Sequence, residues 1–226
     1  MDIAADKRPN QAQALPYEKL MAYGEQLFIG SDHDTVVAKY RKRSEAMAIM
    51  LGADTGLRSS DLFTLKWRDV KAYADAPNSY YVEVNRQRKT RRRVSNPISH
   101  TVSALLQEYK ATCIATANAK RLKVSEYIFY NYLSPKAGEG LPLFTRAWLR
   151  KRLKRAAEGG NFGNWDASKG LGGHTLRRSY AIYVYERRDL RLASKALGHQ
   201  SMATTSSYLA LDAKEVDTSL RELKQV

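Results

Sequence analysis

Gly170-Leu-Gly-Gly-His174-Thr-Leu-Arg177-Arg-Ser-Tyr-Ala-Ile-Tyr-Val-Tyr-Glu-Arg187 is the stretch on which the fold turns. Glycines end a loop and let the backbone approach a ligand closely. A helix is predicted over 175–187, and its amino-terminal end favours an anion. His174 and Arg177 stand three apart, a spacing that shares one helical face. A lone histidine at such a position is more often a cap or a core residue, and the arginine beside it reverses that preference. Two more helices are predicted downstream, over 190–197 and 202–209, with Ser201 capping the second. Leu197-Gly-His199 reads as a helix-ending pattern, in which a histidine commonly serves only to offset the helix dipole. Tyr208 is one of 14 tyrosines, most of which are expected to pack with a wet hydroxyl. It follows His199 on a short polar helix, and that position sets it apart. Thr204, Thr205, Ser206 and Ser207 are rival hydroxyls, disfavoured because no base or nucleophile elbow accompanies them.

Upstream, Thr55-Gly-Leu-Arg58-Ser-Ser-Asp61 offers a second arginine. A guanidinium is a planar, permanently charged fork that suits a pair of phosphate oxygens. Asp61, one turn on, can hold it, and the plainer alternative is an ordinary helix-start ion pair. Between these groups the pattern is mostly helical. Helices are predicted over 17–28, onward from Ser31-Asp-His-Asp to about Ala53, briefly from Ser59 or Ser60 through Leu65, over 101–115, and from a Thr145 cap to about Ala157. Tyr80 to Asn85 reads as a strand with a hairpin partner in Arg91 to Ile98. The expected fold class is therefore mostly α (α+β), with one small antiparallel sheet near residues 80–98.

The formal net charge of +15 favours a polyanionic partner, nucleic acid first and an anionic membrane surface second. Arg86-Gln-Arg-Lys89-Thr-Arg-Arg-Arg93 carries six basic residues in eight, where the hairpin turns. Arg86, Arg88, Arg91, Arg92 and Arg93 are thus candidate phosphate contacts. Arg150, Lys151 and Lys154 are further candidates on the predicted 145–157 helix, where the alternative is a merely solvated face. The longest apolar run, Ala46 to Ala53, is far short of the roughly 18 residues of a membrane span. Cys113 is the one cysteine, which excludes an internal disulfide framework and fits a buried structural thiol in a reducing compartment.

Taken in order, these boxes resemble the catalytic domain of the tyrosine recombinases, the phage-integrase family. The similarity runs from about Ala14 to Leu211. Thr55 to Leu62 resembles the first arginine box, Lys89-Thr90 the β-hairpin lysine segment, and His174 to Arg178, Leu197 to His199 and Tyr208 the remaining boxes. Each box is weak alone, and all five in order are specific. The resemblance implies that Tyr208 attacks a DNA phosphodiester, leaving a 3′-phosphotyrosyl link and a free 5′-hydroxyl. Arg58 and Arg177 would neutralise the phosphoryl oxygens, and His199 would add a hydrogen bond. Lys89 would protonate the departing oxygen, His174 would accept or steer the Tyr208 proton, and Asp61 would orient Arg58 or its neighbours. Neither a metal nor another cofactor is expected.

The family also implies double-stranded DNA as partner, a homo-oligomer (a tetramer) on DNA that is monomeric or weakly associated when free, accessory DNA-bending proteins, no membrane, and a cytoplasmic, nucleoid-associated location. Residues 1–16 are expected to be a flexible arm and 17–208 the catalytic domain. Residues 209–226 are read as a tail with a short helix over 213–223, docked on a neighbouring protomer or folded on its own core. Most members carry a helical domain ahead of the catalytic one. The short lead before the first helix therefore points to a single-domain member, like the fimbrial-switch inversion enzymes, or to an isolated catalytic portion. The rival activities are a type IB topoisomerase-like nicking-closing enzyme and a non-cutting architectural or regulatory DNA-binding protein.

Overall fold

The computed structural model describes residues 12–76, 78–84, 93–134, 143–199 and 201–209, with backbone alone at 202 and 207–209. Helix α1 (Tyr17–Ile29) buries Leu20, Gly24 and Phe28. Thr35 caps α2 (Val36–Thr55), its hydroxyl oxygen accepting from the Ala38 N–H. From Arg43 to Thr55 every residue of α2 is buried, so this helix is the axis on which the others pack. After α3 (Ser59–Leu62) and a 3₁₀ turn (Trp67–Asp69) come β1 (Val70–Ala72), β2 (Tyr80–Val84) and β3 (Val94–Ile98), followed by α4 (His100–Ala119). Then come α5 (Arg146–Glu158), α6 (Gly173–Arg187), α7 (Leu190–Leu197) and α8 (Met202–Leu209). Helices α1, α4, α5 and α6, together with β3, all pack on α2.

The strands form one antiparallel sheet in the order β1-β2-β3, with Val70 opposite Val82 and Val84 opposite Val94. Strand β1 is absent from the sequence reading, because three residues with a lysine at the centre carry too little alternation to register. The basic segment containing Lys89 forms the connection between β2 and β3, and residues 85–92 lie outside the described residues. Helix α4 runs four residues beyond its predicted end, because Thr116 and Ala117 continue its buried face. Helix α3 stops at Leu62, short of the expected Leu65, where Phe63 and Thr64 turn. Ile128 and Phe129 form a buried turn between two isolated bridges, Lys66 with Tyr127 and Tyr130 with Leu143.

The amino-terminal segment needs a correction over its described part. Residues 12–15 pack instead of waving free: Leu15 is 1% exposed and its N–H donates to Ser179 Oγ, while Gln13 N donates to Gly170 O. An apolar Ala14-Leu15 pair is enough to bury this stretch beside α6. Residues 1–11 and 210–226, with the predicted 213–223 helix, lie outside the described residues. No helix among the described residues is long and apolar enough to cross a membrane.

Candidate active site

Two tight turns bring the distant boxes together. Helix α2 ends at Gly56, whose φ of 61° is left-handed and whose N–H returns to Gly52 O. A Cβ at Gly56 would sit 2.2 Å from the Tyr180 ring, so the turn passes directly beneath α6. It delivers Arg58 as the residue preceding α3. Helix α6 starts at Gly173, where a Cβ would lie 2.4 Å from Ser59 Oγ. The starts of α3 and α6 therefore touch, and Arg58 and Arg177 belong to adjoining segments.

Arg177 is only 3% exposed. Its Nη1 donates to Gly56 O at 2.7 Å and its Nη2 to Leu197 O at 2.6 Å. Helix α7 ends on Gly198, again left-handed at φ 66°, which turns His199 back toward α6. Arg177 Nη2 lies 3.3 Å from His199 Nε2. A guanidinium can only donate, so Nε2 accepts. Neutral imidazole then carries its proton on Nδ1, which donates to Thr205 Oγ1 at 2.9 Å. Thr205 is wholly buried and anchors α8, the helix that contains position 208.

Burial first, then Arg177, then Arg58 push the His199 pKa down to about 4. Arg177 touches the ring directly, and Arg58, on the adjoining segment, adds its charge to the same imidazole. Asp61 is buried one turn beyond Arg58, and its N–H donates to Arg58 O. His174 is exposed in the first turn of α6, whereas Arg177 points inward. Lys89 and the Tyr208 side chain lie outside the described residues.

Two features refine the expected roles. The Arg177 fork holds two main-chain carbonyls, so this arginine shapes the site as well as charging it. His199, expected as a hydrogen-bond donor to phosphate, accepts through Nε2 in this state. An arriving phosphate dianion or diester would offset the arginines' charge, raise the histidine pKa and favour a proton on Nε2. Thr205, considered above only as a rival hydroxyl, is an anchor. The signal available for that role is its three-residue spacing from Tyr208.

A pH prediction follows from this packing. The ring titrates near 4 when folded against 6.5 when unperturbed. Between those values the unfolded chain binds the proton and the folded one does not, so this group's contribution favours folding above 6.5 and is lost as pH falls toward 4. NMR titration of the His199 ring in the DNA-free protein should give a midpoint well below 6.5. A midpoint at or above 6.5 would contradict the packing against Arg177.

The basic surfaces divide. On α5, Leu149, Leu153, Ala156 and Ala157 face inward, while Arg150, Lys151 and Lys154 are exposed and Lys154 pairs with Glu158. Arg93 is exposed and ion-pairs with Glu83, which Lys71 also engages. Arg86, Arg88, Arg91 and Arg92 lie outside the described residues.

The sequence pattern of the phage integrase family matches residues 22–215. The tyrosine recombinase XerC of Bradyrhizobium diazoefficiens is 28% identical over 95% of this chain and 60% of its own length. That of Ralstonia pickettii is 30% identical over 93% and 60%. The tyrosine recombinase XerH of Helicobacter pylori is 28% identical over 80% and 44%. This chain thus spans roughly half the length of the relatives it matches. Among solved structures, XerH bound to its palindromic difH substrate in a post-cleavage complex aligns over 97% of this chain and 55% of that one, with a TM-score of 0.64 at 22% identity. A lambda integrase fragment on a core site aligns over 91% and 61%, with a TM-score of 0.51 at 18% identity. These likenesses show a shared fold.

Proposed function

The chain belongs to the phage integrase family, and from that premise we propose that it is a site-specific recombinase that cuts and rejoins DNA through Tyr208. The observation that carries this reading is the convergence of Arg58 and Arg177 on His199 from segments about 120 residues apart in sequence. Two fixed cations beside one imidazole are suited to a phosphodiester whose charge grows during displacement. The Tyr208 oxygen attacks phosphorus in line. The P–O5′ bond breaks, a P–O(tyrosyl) bond forms, and the 5′-oxygen leaves with a proton from Lys89. His174, exposed at the mouth of α6, takes or steers the tyrosyl proton. Attack by a second 5′-hydroxyl reverses the exchange on the partner strand, and no external energy source is needed because the phosphotyrosine retains the bond.

Exposed cations on α5, together with the basic sequence that connects β2 to β3, would grip the duplex backbone. On DNA the protein would assemble as a homo-tetramer, aided by accessory bending proteins, with the 209–226 tail reaching a neighbouring protomer. It would work in the cytoplasm at the nucleoid.

A nicked suicide duplex, which loses a short fragment after cleavage and so cannot religate, tests the reading. The expected result is a covalent protein–DNA adduct that survives denaturation. Relaxation of supercoiled plasmid without strand exchange would favour a nicking-closing enzyme instead. DNA binding with no adduct would favour an architectural protein.

A further inference from the structure

Strand β3 alternates strictly: Val94, Asn96 and Ile98 face in, and Ser95 and Pro97 face out. An amide in the middle of that apolar row is out of place, and it is 4% exposed. Its two N–H bonds explain why it is tolerated. Asn96 Nδ2 donates to Thr55 O and, at 3.1 Å, to Ala196 O. Those carbonyls belong to the last turns of α2 and α7, the two helices that end on left-handed glycines at the site. Carbonyls in a final helical turn lack an intrahelical partner. Arg177 repeats the same bridge one residue further along both segments, on Gly56 O and Leu197 O. Two forked donors thus form successive rungs between the Arg58-bearing turn and the His199-bearing turn.

We propose that Asn96 is a positioning residue, its amide setting the separation between the turn that carries Arg58 and the turn that carries His199. The inference rests on the recombinase reading for its catalytic consequence, although the bridge itself does not. Arg177 brings charge to this junction, and the two helix carboxyl ends offset that charge. Asn96 carries no net charge, so it fixes distance without adding a cation to the site. It also ties β3, which continues from the connection carrying Lys89, to both turns. A group held about 1 Å out of place can cost on the order of 100-fold in rate.

Asn96→Leu keeps the branched heavy-atom shape and removes both donors, and Asn96→Thr keeps a strand-compatible residue that can reach one carbonyl at most. Leu106→Ala, in the α4 core, serves as a destabilised control, and all proteins are assayed well below their melting midpoints. Asn96→Leu should slow single-turnover adduct formation on the suicide duplex by about 10- to 100-fold, with DNA Kd changed less than about twofold. Asn96→Thr should fall between it and the parent, and remains informative if the leucine variant does not fold. The NMR midpoint of His199 should rise toward 6.5 in both, because the ring is less confined between the arginines. Leu106→Ala should change neither readout. Asn96 variants that cleave like the control and leave the His199 midpoint in place would overturn the proposal. If the parent itself forms no adduct, the recombinase reading fails while the His199 midpoint still decides the bridge.

Discussion

Tyr208→Phe should abolish the covalent adduct, lowering its yield on a suicide duplex by at least about 1,000-fold, while DNA affinity stays within about twofold. The substitution removes one oxygen and keeps the ring, so the net charge on which DNA affinity depends is unchanged. If Tyr208 is the nucleophile as proposed, its loss removes the covalent step altogether, and Thr205 offers no replacement. Thr205 is wholly buried and bonded to His199. Trapping assays read by denaturing electrophoresis, beside a gel-shift titration, measure both quantities. A phenylalanine variant that still traps DNA would move the chemistry to another side chain.

Arg177→Ala and Arg58→Ala should separate two jobs that look alike in the sequence. Both should depress adduct formation by about 100- to 1,000-fold or more, as expected for loss of a preorganised group that stabilises transition-state charge. Only Arg177→Ala should also cost substantial stability. Its fork satisfies Gly56 O and Leu197 O in a buried setting. Leaving two buried carbonyls without donors costs about 1–3 kcal/mol each, so a loss of about 2–6 kcal/mol is expected in urea denaturation. Arg58 is half-buried on a turn, and its alanine variant should unfold near the parent's midpoint. Equal stability losses in the two variants would contradict the packing described for Arg177. Arg177→Lys should behave much like the alanine variant, because an ammonium cannot span two carbonyls and a histidine in one plane.

The residues of the candidate site were more legible in the sequence than their scaffolding. Arg58, His174, Arg177 and His199 stand out because charged or titratable groups beside helix boundaries and glycines form recognisable local patterns. Asn96 does not, since the strand's parity must be known before an inward amide becomes visible. Thr205 hid for a similar reason: among four consecutive hydroxyls, only the fold selects the one facing His199. The interior of α2 was opaque as well. Arg43, Glu45 and Asp54 are polar, yet all are buried, because each meets a partner from elsewhere in the chain. Arg43 reaches Ser31, Asp32 and Thr112, Glu45 reaches Tyr23 and Arg152, and Asp54 reaches Tyr17 and Ser99. Periodicity marks helices by their apolar faces, so a helix buried on all sides with polar contacts announces its ends better than its surroundings. Strand β1 was missed because its pairing is supplied by β2, not by its own three residues.

On the proposed reading, these groups surround one phosphorus atom attacked by the Tyr208 oxygen. Mass spectrometry of the peptide left on trapped DNA, combined with end-labelling of the released strand, tests it most directly. Tyrosyl attack leaves a nucleotide 3′-phosphate on Tyr208 and a released strand whose free 5′-hydroxyl accepts label from a polynucleotide kinase. A phosphate attached to any of residues 204–207, or a link through the 5′ end, would contradict it.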